Sequence, residues 1–126
     1  MSKTSSVVQG GCFCGNIRYQ INSAASVRKV INCHCTMCRR TSGAPFVTWL
    51  VVPKTSFHFT AAQPSHLNSS SAGDRYFCKD CGTPVTCVVS HNEKYIDVTL
   101  GSLDNPDDFE PDGDFYEDTR LKWLKT

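Results

Sequence analysis

Three short clusters of cysteines contain the residues of this sequence best suited to chemistry. They read Gly11-Cys-Phe-Cys-Gly15, Cys33-His-Cys-Thr-Met-Cys38 and Cys78-Lys-Asp-Cys-Gly82, and an eighth cysteine, Cys87, stands alone. Thiolates grouped at such short spacings are typical of zinc sites. The pattern therefore predicts that at least seven of the eight cysteines are metal ligands.

The first and third clusters are expected to form one closed site that stabilises the fold. Cys78 and Cys81 have the spacing of a zinc knuckle, and Cys12 and Cys14 can supply the second pair of ligands for a tetrahedral ion. A glycine follows each pair, and glycine tolerates the positive φ that such a turn often requires. Closure of this site would join the N-terminal segment to the middle of the chain.

The middle cluster, Cys33, Cys35 and Cys38, offers three thiolates. Three protein ligands on zinc leave a fourth position for water or substrate, which is the arrangement of a catalytic site. The alternative is that Cys87 or a histidine closes this second site; His34 is disfavoured because neighbours in an extended segment point in opposite directions. Cys87 lies in an apolar strand and is expected to be buried core filler. An iron–sulfur cluster on the same cysteines is a further alternative.

The setting of the cysteines favours metal over disulfides. The N-terminal residues lack the apolar stretch of a signal peptide, and no apolar run approaches the ~20 residues that span a bilayer. We therefore expect a cytoplasmic, non-membrane protein with reduced thiols, in which patterned cysteines indicate metal binding or catalysis. A chain of 126 residues predicts one domain. We expect a flexible segment at residues 1–9 and a single zinc-binding, catalytic-type domain at 10–126.

Charge is distributed unevenly along the chain. Residues 1–73 contain seven Lys or Arg and no acid, whereas residues 74–126 contain six basic and twelve acidic side chains. Five of the cysteines lie in the positive half, where cations would offset thiolate charge and attract an anionic substrate. Arg39 and Arg40, which directly follow Cys38, are the candidate substrate-binding residues. The basic residues are scattered and form no stripe, so no nucleic-acid partner is expected.

Alternation of apolar and polar residues predicts a mainly β protein with little helix. Candidate strands cover 17–21, 46–51, 57–59, 85–89 and 95–100. One helical turn is expected after Cys35, and another at Asn105 with Pro106 at its first position.

The three clusters, together with Arg75-Tyr-Phe-Cys78 and Gly101-Ser-Leu-Asp104, resemble the glutathione-dependent formaldehyde-activating enzyme family, which includes the centromere protein V type. The resemblance covers about residues 10 to 106. It implies a single Mss4-like all-β domain with zinc-pinned loops. It also implies a structural zinc at Cys12, Cys14, Cys78 and Cys81 and a second zinc at Cys33, Cys35 and Cys38.

The activity that the resemblance implies is that of a carbon–sulfur lyase, an S-(hydroxymethyl)glutathione synthase-like enzyme that joins or splits a thiol and a small aldehyde such as formaldehyde. The catalytic residues would be Cys33, Cys35 and Cys38, and the thiol would be glutathione. The rival interpretation is a non-catalytic zinc-binding module that carries a thiol or binds a protein partner. The sequence leaves the general base and the oligomeric state open.

Overall fold

The strands and the single helix have the following bounds in a computed structural model that describes residues 6–71 and 73–125. They are β1 Val8–Gly11, β2 Arg18–Ile21, β3 Lys29–Cys33, α1 Thr36–Ser42, β4 Val47–Pro53, β5 Phe57–Phe59, β6 Ser65–Ser70, β7 Gly73–Phe77, β8 Pro84–Val89, β9 Tyr95–Thr99 and β10 Gly113–Phe115. Short 3₁₀ turns connect several of them. No helix in these ranges is long and apolar enough to cross a bilayer.

Two sheets make up the architecture, so the predicted mainly β class is confirmed. A three-stranded sheet has the order β1-β2-β5, and a seven-stranded sheet has the order β10-β3-β4-β9-β8-β7-β6. Every neighbouring pair is antiparallel except β10 and β3, which are parallel.

The main core lies between the two sheets. Tyr19 and Ile21 of β2 pack with Leu50 of β4 and with Ile96 and Val98 of β9. Because side chains alternate along a strand, the opposite face of β4 presents Trp49, which packs with Cys33, Cys38 and Cys87 in a second, smaller cluster. The larger sheet therefore has one face on the core and one face toward the middle cysteine cluster.

All five candidate strands are present, and five further strands are β1, β3, β6, β7 and β10. The turn expected after Cys35 is the seven-residue helix α1. Pro106 begins a short 3₁₀ turn, in which the Asn105 side chain makes no capping hydrogen bond.

The start of β1 affects the predicted domain boundary. Val8 and Gln9 belong to the segment 1–9 for which flexibility was expected, and they pair in register with Ile21 and Gln20. Regular β structure therefore begins before residue 10, because these residues complete an antiparallel ladder with β2. Residues 1–5 and Thr126 lie outside the described residues.

Candidate metal centres and active site

The first and third cysteine clusters meet in space. Cys12 and Cys14 follow β1, Cys78 and Cys81 follow β7, and the four Sγ atoms lie within 4.8 Å of one another. Cys14 Sγ is 3.5 Å from Cys12 Sγ and 3.6 Å from Cys78 Sγ. The glycines after the two pairs, Gly15 and Gly82, both have φ of 84°, so each turn has the left-handed conformation that was expected.

Hydrogen bonds hold these two turns in place. The N–H of Ile17 donates to Cys12 Sγ at 3.2 Å, and the N–H of Phe13 donates to the Thr83 hydroxyl at 3.0 Å. Thr83 Oγ1 is also 3.3 Å from Cys81 Sγ, and this contact together with the Thr83 backbone lowers the pKa of Cys81 to about 5. The surroundings of Cys81 therefore stabilise its negative sulfur, which is the form that binds a metal.

The middle cluster is assembled where β3 ends and α1 begins. Cys33 is the last residue of β3, Cys35 is the N-cap of α1, and Cys38 lies in the first half of the helix. Cys33 Sγ is 3.4 Å from Cys35 Sγ and 3.1 Å from Cys38 Sγ. The N–H of Cys38 donates to Cys35 Sγ at 3.3 Å, so the start of α1 fixes two of the three thiols.

The sulfur positions fit zinc. Tetrahedral Zn–S bonds of about 2.3 Å place neighbouring sulfurs about 3.8 Å apart. The measured separations of 3.5 and 3.6 Å in one group, and of 3.1 and 3.4 Å in the other, are close to that edge length. Both groups can therefore contract or expand by a few tenths of an ångström around one ion, the first with four protein ligands and the second with three.

A cavity of about 250 Å³ lies against the three-thiol group. Its apolar wall includes Trp49 and Val51, and its rim includes Phe115 and Tyr116. Its polar lining includes the three cysteines together with Lys29, Arg75, Cys87 and Asp97. The four-cysteine site has no part in this lining, so the two sites differ in access as well as in ligand number.

Strand register explains this lining. Lys29 pairs with Val51, Val51 with Asp97, Asp97 with Cys87, and Cys87 with Arg75. Residues that are directly opposite one another in a sheet project to the same face. One row across five strands, β3-β4-β9-β8-β7, therefore places two cations, one carboxylate and one thiol on the side of the sheet that faces the cysteines.

Arg75 is the cation nearest the thiols. Its two terminal nitrogens, Nη1 and Nη2, are each 3.7 Å from Cys38 Sγ, and its Nε donates to Ser69 Oγ at 3.0 Å. The contact with Cys33 and the charge of Arg75 lower the pKa of Cys38 to about 5. The sequence analysis named Arg75 only as part of the family motif that ends at Cys78 and assigned it no role in the site.

The two arginines that were predicted to bind substrate lie elsewhere. Neither Arg39 nor Arg40 lines the cavity. Arg40 is exposed and borders a separate shallow depression with Leu67, and Arg39 is half-buried with an Nε that has no hydrogen-bond partner among the described residues. Their role in substrate binding stays a prediction.

Cys87 and His34, the two residues that could have closed the second site, both lie outside the three-thiol group. Cys87 is buried in the cavity wall, where burial raises the pKa of its thiol to about 11, and its Sγ is not part of the three-thiol group. His34 is fully buried, and its Nε2 is 2.8 Å from Asp114 Oδ1. Its backbone N–H donates to Phe115 O at 3.0 Å, and Thr119 Oγ1 donates to its carbonyl at 2.8 Å.

His34 therefore holds the C-terminal segment against the cysteine loop. This contact places Phe115 and Tyr116 at the cavity rim, where the Lys29 ammonium lies 4.8 Å from the centre of the Phe115 ring. Tyr116 has φ of 59°, a left-handed conformation that costs energy for a residue with a Cβ and that often marks functional sites.

Comparison with known proteins gives concordant matches. A family model described as glutathione-dependent formaldehyde-activating enzyme matches residues 7–119. An uncharacterised lyase of Schizosaccharomyces pombe is 32% identical over 75 residues, which are 60% of this chain and 53% of the yeast protein. A Penicillium rubens protein, provisionally named a glutathione-dependent formaldehyde-activating enzyme, is 32% identical over 73 residues, which are 56% of this chain and 38% of that protein.

The matched regions thus span about half or less of these curated relatives. Among solved structures, the crystal structure of a Rhodobacter sphaeroides protein superposes with a TM-score of 0.63 at 21% identity. The match covers 84% of this chain and 98% of that one, which shows a shared fold.

Proposed function

The chain belongs to the glutathione-dependent formaldehyde-activating enzyme family, and we propose that it is a zinc-dependent carbon–sulfur lyase. Its reaction would join glutathione and formaldehyde to give S-hydroxymethylglutathione, or split that adduct. The observation that carries this proposal is the three-thiol group, Cys33, Cys35 and Cys38, which faces a cavity whose lining includes Arg75.

The proposal assigns different roles to the two metal sites. Cys12, Cys14, Cys78 and Cys81 would hold a structural zinc, and the three-thiol group would hold a second zinc with one open position. A zinc ion in the second site would bind the substrate thiol and lower its pKa, so that the thiol is held as thiolate.

The residues around the cavity would bind and orient the substrates. Glutathione carries two carboxylates and one ammonium group, and Arg75 and Lys29 supply positive charge to attract the carboxylates. Trp49 and Val51 form an apolar wall that limits water near the reacting atoms. The cavity of about 250 Å³ is smaller than the ~300–1,000 Å³ typical of sites for drug-sized ligands. It would therefore hold the reacting thiol and aldehyde while the rest of the tripeptide extends over the rim.

The first test combines metal content with activity. Protein purified without added metal is expected to contain close to two zinc ions per chain. It should accelerate exchange between ¹³C-formaldehyde, glutathione and S-hydroxymethylglutathione, as measured by exchange NMR, and chelation should remove the acceleration. Protein with two zinc ions that leaves the exchange rate at the uncatalysed value would instead support a non-catalytic zinc module. One zinc per chain, or stoichiometric iron with visible colour, would contradict the two-site assignment.

A second prediction tests the charge that faces the thiols. Arg75→Gln is expected to weaken glutathione binding by roughly ten- to over a hundred-fold, because a hydrogen bond to a charged group contributes about 1.5–3 kcal/mol. Calorimetric titration of the variant and the wild type at two salt concentrations measures this effect. Wild-type binding should weaken as salt is raised, and the variant should show a smaller salt dependence. Zinc content should be unchanged.

Arg39→Gln and Arg40→Gln are the matched controls for this experiment, since both remove a nearby cation outside the cavity. If either variant weakens glutathione binding more than Arg75→Gln does, the sequence-based assignment of Arg39 and Arg40 is correct and Arg75 is not the main anion-binding residue. No glutathione binding by fully zinc-loaded wild type at millimolar ligand would exclude glutathione as the thiol.

A further inference from the structure

A carboxylate with no hydrogen bond or ion pair to the described part of the chain lines the same cavity as the three thiols. Asp97 is in the middle of β9, half-buried, with Val51 opposite it on one side and Cys87 on the other. It lines the cavity with the three thiols. Among residues 6–71 and 73–125, no hydrogen bond or ion pair to the Asp97 carboxylate is formed.

The environment of Asp97 differs from that of an acid with a structural role. Asp104, for comparison, accepts two hydrogen bonds from Arg18, and this pairing lowers the pKa of Asp104. Burial raises the pKa of Asp97 to about 6, and the negative charge of Cys38 adds to this effect, while Lys29 and Arg75 oppose it. A carboxyl group in a cleft that titrates near neutral pH is suited to proton transfer.

We propose that Asp97 is the general acid–base residue of the thiol–aldehyde reaction, a role that rests on the function proposed above. Its position on β9 places it on the wall of the same cavity that the three thiols face. In this role its carboxylate touches the reacting atoms, directly or through one water molecule.

The proton transfers balance without a further reactant. In the synthetic direction the Asp97 carboxylate takes the proton that the incoming thiol loses as it becomes a thiolate, and the sulfur electron pair then attacks the carbonyl carbon to form the C–S bond. The π pair of the C=O bond moves to oxygen, and the Asp97 carboxyl returns its proton to that oxygen. In the reverse direction Asp97 takes the hydroxyl proton of the adduct, the C–S bond breaks, and the proton returns to sulfur.

Besides the thiols of Cys33 and Cys35, several other charged and titratable groups line the cavity with Asp97. They are Lys29 on β3, Cys38 on α1, Arg75 on β7, Cys87 on β8, His91 in the turn before β9 and Tyr116 at the cavity rim. With a pKa of about 6, which burial raises and the two cations oppose, Asp97 is mostly ionised at pH 7 and ready to accept a proton in the synthetic direction. The rate of synthesis should accordingly rise as pH increases through about 6, the value to which burial raises the pKa of Asp97.

The test is the Asp97→Asn variant with Glu93→Gln as the matched control, since Glu93 is an exposed acid just before β9 that does not line the cavity. Asp97→Asn is expected to lower kcat by about 10²–10⁴-fold with little change in KM for the thiol. The rise in rate through pH 6 should disappear in Asp97→Asn and persist in Glu93→Gln. Zinc content should equal that of the wild type in both variants.

A second measurement does not depend on activity. A ¹³C NMR titration of the side-chain carboxyl, assigned by its loss in Asp97→Asn, should give a midpoint near 6, the pKa raised by burial, where an unperturbed aspartate titrates near 3.8. A midpoint near 3.8, or an Asp97→Asn variant with wild-type kcat and an unchanged pH profile, overturns the acid–base role while the lyase function stands. Wild type without activity overturns the lyase function instead, and with it the role of Asp97.

Discussion

Cys78→Ala is expected to leave a chain that does not hold its native fold. Cys78 is buried in the main core, and its Sγ lies 3.6 Å from Cys14 Sγ across 64 residues of sequence. Structural zinc in small peptides binds with about 10–16 kcal/mol, whereas an entire domain is typically stable by about 5–15 kcal/mol. Loss of one of the four sulfurs should therefore lower three quantities together: the zinc content, the far-UV circular dichroism signal of the native fold and the yield of soluble protein.

Cys87→Val is the control for this variant. Cys87 is buried, as Cys78 is, but it lies outside both sulfur groups, and valine has a similar volume. The control should keep two zinc ions and a melting temperature near that of the wild type. If Cys78→Ala folds with wild-type stability and one zinc fewer, the four-cysteine site is not what holds the fold.

The two cysteine groups were predictable from sequence because the spacing within each short cluster limits which sulfurs can meet. Two cysteine pairs are each followed by glycine, and each supplies only half of a tetrahedral metal site; they are Cys12 with Cys14 and Cys78 with Cys81. If the middle cluster forms a separate site, each pair can be completed only by the other. The structure brings the four together and keeps Cys33, Cys35 and Cys38 apart as a group. The alternation at residues 95–100 was equally informative, because Ile96 and Val98 of β9 are buried while Tyr95 and Asp97 are only partly buried. The strand predicted at residues 46–51 is also present, although β4 is buried on both faces from Trp49 to Val52.

The residues around the second site were not predictable in the same way. Arg39 and Arg40 were chosen because they follow Cys38, but successive residues on an α-helix are rotated by about 100°. The helix α1 therefore turns their side chains away from the side on which Cys38 faces the cavity. Arg75 and Asp97 reach the cavity through the register of β7, β8 and β9, which involves contacts between distant parts of the sequence.

The acidic half of the chain also has a structural role. Asp112 Oδ2 accepts a hydrogen bond from the N–H of Val30 at 2.8 Å, and Asp114 contacts the side chains of Asn32, His34 and Arg120. These contacts attach β10 to β3, and β3 belongs to the half of the sequence that has no acids. Part of the charge asymmetry thus serves to hold the C-terminal segment beside the second cysteine group.

Cys35→Ala is expected to keep the fold and to lose the second metal. Cys35 is half-buried at the start of α1, and its local role is to accept the N–H of Cys38 at 3.3 Å. Loss of a capping acceptor costs about 0.5–2 kcal/mol, which a fold with an intact four-cysteine site should tolerate. Two remaining thiols are too few for a stable zinc site, so the variant should contain one zinc per chain. Formaldehyde–glutathione exchange should fall to the uncatalysed rate.

The contrast between Cys35→Ala and Cys78→Ala decides whether the two sites have separate roles. Cys35 lies beside the smaller cluster of Cys33, Cys38 and Trp49, whereas Cys78 belongs to the core between the sheets. One structural and one catalytic site would be established by two results together. Cys35→Ala would keep the dichroism of the native fold, bind one zinc and lack activity, whereas Cys78→Ala would lose its fold. Equal loss of fold in both variants would mean that both metals are structural. Retained exchange activity in Cys35→Ala would mean that the three-thiol group is not where the reaction occurs.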